Sequence, residues 1–258
     1  MEFNTIKLET EDGLASLVLN RPQKFNALSR EMITEMTTAL QDLAGDPAVR
    51  AVIVRAEGKH FCVGHDLGEM VDGDTAAYRD IFERCCRLMT LVHEVPQPVI
   101  AQVHGIATAA GCQLVAACDL AVAEEKALFA TPGVRIGLFC STPMVALYRA
   151  VGRKRALEML LTGRNVTAAE AADWGLVNRV VPADRLVAET RELALAITQA
   201  SPLTLEIGKQ VFYAQVDQDE AQAYNIAKNA MGVNLTTHDA QEGIKAFLQK
   251  RQPVWQGR

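Results

Sequence analysis

The spacing of apolar and polar positions changes along the chain, and each change marks an element. From Ile6 to Leu19, β-type residues flank a turn at Glu11-Asp12-Gly13, which predicts a hairpin. Asn20-Arg21-Pro22-Gln23 stops it. Met32, Ile33, Met36, Leu40 and Leu43 then recur at helical spacing with Ser29 near the start, and Asp46-Pro47 breaks that helix. Val49 to Val54 is a short apolar run with β-branched members, the pattern of a buried strand, and a loop with two glycines carries the chain from Glu57 to Leu67. Ile81, Cys85, Leu88 and Val92 mark one face of a long helix over 75–95, ended by Pro96 and Pro98. Val99 to Val103 predicts a second buried strand, 105–111 a turn of small residues, Cys112 to Cys118 a short apolar helix, and Asp119 to Ala123 a strand again.

Beyond Phe129-Ala130-Thr131-Pro132-Gly133, glycine and proline punctuate a loop as far as Pro143. Thr167-Ala168-Ala169-Glu170 reads as a capping box that opens a helix, and Gly175 closes it. Val177 to Val181 is the last predicted strand, and from Asp184 the pattern is helical. These elements divide into an α/β core over residues 1–195 and a helical segment over 196–258. No low-complexity linker separates them, and no clean sequence repeat shows.

Composition narrows the function classes. The 258 residues are 49% apolar and 22% charged, ordinary for a globular chain long enough to bury a core without metal or disulfide staples. The net charge of −5 gives no reason to expect nucleic acid as a partner, although a local basic patch for one phosphorylated ligand fits within it. No apolar run reaches the roughly 18 residues of a membrane span. Met1-Glu2-Phe3-Asn4-Thr5 has neither the basic start nor the apolar stretch of a signal peptide. The expected setting is the bacterial cytoplasm, or the mitochondrial matrix where a transit peptide has been removed. Cys62, Cys85, Cys86, Cys112, Cys118 and Cys140 form no Cys-x-x-Cys pair and no His pair has metal-ligand spacing, so reduced, mostly buried thiols and no metal site are expected.

Dinucleotide, P-loop and serine-hydrolase signatures are missing. Two strand-to-loop junctions stand out instead, Phe61 to Leu67 and His104 to Gly111. A tight turn of tiny residues before a helix leaves free N–H groups at a positive dipole end, where an anion or a developing oxyanion can be bound. The same residues also suit a helix that packs closely on a sheet, and spacing alone leaves both readings open.

The order of motifs resembles the enoyl-CoA hydratase/isomerase (crotonase) superfamily: Asn20-Arg21-Pro22, Asn26-Ala27-Leu28, Gly64-x-Asp66-Leu67, Pro98-Val99-Ile100-Ala101, Gly105 through Ala110-Gly111-Cys112-x-Leu114 to Cys118-Asp119, Leu161-Thr162-Gly163, Ala171 to Val177, and Glu242-Gly243-Ile244 through Arg251. Within it, the runs 107–116, 129–134 and 137–143 resemble the enoyl-CoA hydratase domain-containing protein 3 group. The resemblance implies an α/β fold, a crotonase-like spiral of ββα units with a helical C-terminal segment, assembled as a homotrimer or a hexamer of two trimers. It implies an acyl-CoA thioester as the small-molecule partner, with coenzyme A part of the substrate and no other cofactor. The thioester carbonyl would sit between the backbone N–H groups of His65 and Ala110, which stabilise an enolate.

The departures from that pattern bear most on function. Hydratases of this family carry two glutamates that position and activate water; at the matching places stand Gln113 and Gly133. Glutamine cannot take a proton at neutral pH and glycine can neither donate nor accept through a side chain, so efficient hydration is not expected. His65 replaces a small residue; it would either bond the carbonyl or move a proton near neutrality, or else face solvent. The Gly-His-Asp run also occurs in methylmalonyl-CoA decarboxylases of this superfamily, which makes decarboxylation of a malonyl-type thioester the alternative, with non-catalytic acyl-CoA binding as the third. Cys140 and Ser141 are expected on the acyl-pocket loop, Cys140 as packing rather than nucleophile, and Asp66 as a loop-holding side chain. By the same resemblance Lys24 would lie near the CoA phosphates, Cys62 and Val63 around the adenine, and Phe247 and Lys250 would reach a neighbouring subunit's CoA.

Overall fold

The computed structural model describes residues 3–258. Two strands open the chain, β1 (Ile6–Glu11) and β2 (Leu14–Leu19), paired antiparallel across Asp12 and Gly13 as the turn residues predict. Helix α1 (Arg30–Ala44) starts at Ser29, whose side chain accepts from the Met32 amide, and buries Met32, Ile33, Met36, Leu40 and Leu43. There follow β3 (Ala51–Ala56), α2 (Thr75–Glu94), β4 (Val99–Val103), β5 (Ile106–Thr108), α3 (Ala110–Ala117), β6 (Leu120–Glu124) and β7 (Leu128–Ala130). A short 3-10 turn at Pro132–Ile136 leads to α4 (Pro143–Val151) and α5 (Arg153–Thr162). The capping box appears as expected between Thr167 and Glu170, joining β8 (Val166–Thr167) to α6 (Ala168–Trp174), with Gly175 at the left-handed stop. After β9 (Arg179–Val181) come helices only: α7 (Leu186–Thr198), α8 (Pro202–Gln215), α9 (Glu220–Leu235) and α10 (His238–Gln249).

Two sheets result, one six-stranded in the order β1-β2-β3-β4-β6-β9 and one three-stranded in the order β5-β7-β8. In the large sheet every pair after β1–β2 is parallel. The small sheet is where the sequence reading falls short, since 105–111 was expected as a turn and instead contains β5. Single bridges extend that sheet: Cys62 pairs with Ala107, and Leu28 with His65. Each turn of the chain therefore lays one strand in the large sheet, one short segment in the small sheet, and then a helix. This is a structural repeat, a spiral of ββα units, without a sequence repeat.

The main core lies between the large sheet and α1, α2 and α3, and includes Leu17, Met36, Val52, Leu88, Val99 and Leu114. On the opposite face Leu14, Ala51, Ile53 and Ile100 pack against Ala194 of α7. Helix α7 covers the sheet and runs to Thr198, so the expected boundary at 195 falls inside it. Beyond it, Asp239 joins the start of α8 to the last residues of the chain: its fully buried carboxylate accepts from Ser201 Oγ at 2.7 Å and from the amides of Gln256 and Gly257. No helix among the described residues is long and apolar enough to cross a membrane.

Candidate active site

The spiral register brings two amides together. Cys62 and Ala107 are partners in adjacent turns, so the residues three further on, His65 and Ala110, hold equivalent places. The residue before each has a positive φ, +98° at Gly64 and +50° at Ala109. In both turns the peptide is rotated away from the strand direction, so the next N–H leaves the ladder. Among the described residues neither the His65 amide nor the Ala110 amide donates to another group of the chain, whereas the Asp66 amide bonds Leu28 and the Ala109 amide bonds Ala130. Ala110 is the first residue of α3, so its N–H has no intrahelical acceptor and lies at the positive end of the helix. A non-glycine residue such as Ala109 at positive φ costs of order 1–3 kcal/mol, strain of the kind that collects at functional sites.

Two glycines allow the turns to meet. A Cβ at Gly111 would lie 2.1 Å from the Cys62 carbonyl oxygen. A Cβ at Gly64 would lie 2.8 Å from that of Ala109 and 3.3 Å from the Ala110 nitrogen. The loop of His65 is fixed from below by the Asn20-Arg21-Pro22 motif. Arg21 donates to the Ala27 carbonyl at 2.7 Å and to Asp66 at 3.0 Å, and buried Asn26 donates to the carbonyls of Glu57 and His60. Asp66 also accepts from the Gly68 amide, which makes it the loop-holding residue expected. Burial opposes its charge, but the hydrogen bonds from Arg21 and Gly68 outweigh it and hold the carboxyl below the usual range.

Both amide-bearing residues line a cavity of about 740 Å³. Its walls are mostly apolar and include Met70, Phe82, Ile136, Leu138 and Phe139, and Lys24, Phe25 and Gln23 are also among its lining residues. Asp66 is the one carboxylate among the lining residues described. The His65 ring lies inside, edge-on to Phe82 with centroids 5.5 Å apart, which overturns the reading of a solvent-facing side chain. Burial pulls its pKa down to about 4. The imidazole is therefore neutral at pH 7 and carries no proton to give up as an acid near neutrality. Its Nε2 is buried without a partner in the chain.

The other expected site residues divide. Val63 and Gly133 line the cavity, but Cys62 does not: its side chain is fully buried and both its backbone groups are bonded, to Ile106 and Thr108. Burial pushes the Cys62 thiol up to about 12, so it is a packing residue. Cys140 lines the cavity with its thiol also pushed up by burial, consistent with packing rather than nucleophilic attack. Gln113 is buried on α3 and its Oε1 has no partner, nor has the hydroxyl of fully buried Thr131. Phe247 and Lys250 sit at the exposed end of α10 and do not line the cavity of their own chain. Thr131 was missed by sequence reasoning, since a buried unpartnered hydroxyl has no sequence signal. Among the described residues no cluster of three or more His, Cys, Asp or Glu is placed to hold a metal ion.

The chain is similar to known proteins over nearly its whole length. The chain is 49% identical over 249 residues to the mitochondrial enoyl-CoA hydratase domain-containing protein 3 of Xenopus laevis, covering 96% of this chain and 85% of that protein. The crystal structure of an enoyl-CoA hydratase from Mycobacterium smegmatis superposes with a TM-score of 0.95 at 48% identity, over 98% of this chain and 99% of that one. The structure of human enoyl coenzyme A hydratase domain-containing protein 3 gives 0.95 at 46% identity, over 98% and 100%. The enoyl-CoA hydratase/isomerase family pattern runs from residue 9 to residue 258, through the hairpin, both amide-bearing turns and the last helix, and the chain belongs to that family.

Proposed function

We propose that the protein binds an acyl-CoA thioester and stabilises its enolate between the His65 and Ala110 amides, without acting as an efficient enoyl-CoA hydratase. One observation carries the reading: the residues of two unpartnered amides at equivalent register line an apolar cavity in which Gly133 stands at one acid–base position, while Gln113, at the other, is buried on α3 outside the lining. As electron density moves from the thioester onto its oxygen, two N–H groups already aimed at that atom stabilise the charge without reorganising. One such donor is worth roughly 3–4 kcal/mol in comparable sites. General acid and general base groups contribute about 10²–10⁴-fold each. With both carboxylates replaced, crotonyl-CoA hydration is expected far below ~10² s⁻¹, within the range of ordinary enzymes. A rate above that would contradict the reading.

A second reaction is supported by the neutral His65 beside these donors. Decarboxylation of a malonyl-type thioester breaks the bond to the carboxyl carbon, leaves its electron pair as the enolate, and needs no base for the carbon acid. Release of CO₂ from a panel of malonyl thioesters, lost in His65→Ala, would establish it, and no release from any of them would remove it.

Lys24 is among the cavity-lining residues, which supports it as a partner for a phosphate of the CoA moiety. No apolar residue of α8 or α9 is fully buried within the chain, and the two helices expose Phe212, Tyr224, Met231 and Val233. An apolar face of that kind supports a homotrimer or hexamer in which Phe247 and Lys250 meet a neighbouring subunit's ligand.

A further inference from the structure

The loop from Gly133 to Cys140 closes on its own first residue. Gly133 holds it with its backbone: its carbonyl accepts from the Leu138 amide at 3.0 Å. The space a side chain would need at position 133 is already taken. A Cβ built there would lie 2.1 Å from the Leu138 carbonyl oxygen and 2.8 Å from Cys140 Sγ. The obstacle at Leu138 is main chain, so it cannot swing aside as a side-chain tip would. Gly133 is not at a positive φ, so it is required for space and not for its backbone conformation. Leu138, Phe139 and Cys140 all line the cavity that holds the two free amides.

We propose that Gly133 is the specificity-determining residue of the acyl end of this cavity: the lack of a side chain lets the 133–140 loop latch shut, and the latched loop forms the surface the acyl group meets. The missing second carboxylate is then a commitment of the backbone. A carboxylate put back at 133 meets the Leu138 carbonyl before it meets a substrate, and the loop must open to admit it. This inference rests on the acyl-CoA reading of the cavity and adds the element that recognises the acyl part.

Calorimetric titration of the full-length protein with CoA and with octanoyl-CoA separates the two halves of the ligand. In Gly133→Ala the affinity for octanoyl-CoA is expected to fall at least tenfold while that for CoA stays within about twofold. Cys140→Ala removes the thiol that packs against position 133 without adding an atom, and is expected to give the same pattern more weakly. It carries the test alone if Gly133→Ala does not fold. The double variant Gln113→Glu with Gly133→Glu is expected to gain no crotonyl-CoA hydration. Octanoyl-CoA affinity unchanged in the loop variants, or hydration restored in the double variant, would overturn the latch while leaving the acyl-CoA reading in place. A wild-type protein that bound neither ligand would remove that reading, and the latch with it.

Discussion

Two buried polar clusters in this molecule are built in opposite ways. Where α8 meets the core, Lys209 lies 2.7 Å from Asp119 and also donates to the carbonyls of Val92 and Gln97 at 2.8 Å. Asp119 accepts in addition from the Val99 amide and from the Tyr213 hydroxyl. Burial pulls Lys209 below the usual lysine range against the attraction of Asp119, and pushes the Tyr213 hydroxyl up, but every donor of the ammonium has an acceptor. At the cavity the amides of His65 and Ala110 and the His65 Nε2 have no partner among the described residues, and neither have the Gln113 Oε1 on α3 and the Thr131 hydroxyl next to Pro132. A buried polar group left unpaired costs about 1–3 kcal/mol, so an isolated chain gains nothing from the second arrangement. The satisfied cluster fastens one part of the fold to another, and the unsatisfied one matches the proposal of a ligand site.

Substitutions can break this comparison, and the largest effect belongs to the satisfied cluster. Lys209→Met strands a buried carboxylate and is expected to cost about 3–5 kcal/mol in a urea unfolding curve. A loss under ~1 kcal/mol would show the ion pair to be incidental. Next comes Ala110→Pro, which deletes one cavity amide at the first position of a helix, where proline is tolerated. Turnover of the best thioester substrate is expected to drop about 10²–10³-fold, the loss typical of one oxyanion donor. Retained turnover would mean that this amide does not meet the substrate.

The pH dependence of stability sharpens the contrast at a smaller scale. Burial holds folded His65 near 4 against an ordinary value of 6.5. Between those values the unfolded chain takes up a proton that the folded chain refuses. The contribution of His65 is thus fully present above pH ~6.5 and declines as pH falls towards ~4, by at most ~1.4 kcal/mol per unit. His65→Gln is expected to flatten that part of the unfolding profile, and an unchanged slope would place the ring in water. The smallest effect is expected from Thr131→Val, which removes a hydroxyl with nothing to bond. Stability should stay level or rise by up to ~1 kcal/mol, and a loss larger than that would reveal a partner the hydroxyl already has.

How much of this could be read in advance depended on how local the cause was. The hairpin at Asp12-Gly13, the Ser29 cap and the Thr167–Glu170 box are decided within a few residues, and all were legible. The small sheet was not, because β5, β7 and β8 have three residues or fewer, too short for a period to show. His65 and Ala110 were named through a family resemblance, and what joins them, the bridge of Cys62 to Ala107, is a tertiary register. The clash between a Cβ at 133 and the Leu138 carbonyl is likewise invisible in the string Pro132-Gly133-Val134, where glycine reads as an ordinary turn residue. The absence of the two glutamates needed only the sequence, while the reason one of them cannot simply be put back needed the backbone.

The central claim is that two main-chain amides polarise a bound thioester carbonyl, and the stretching frequency of that carbonyl reports it directly. An infrared difference spectrum of the protein with acyl-CoA carrying a ¹³C-labelled thioester carbonyl isolates the one band. The account predicts a band at lower frequency than for the same thioester free in water, with most of the displacement gone in Ala110→Pro. A bound thioester whose band lies at or above its free position would contradict it.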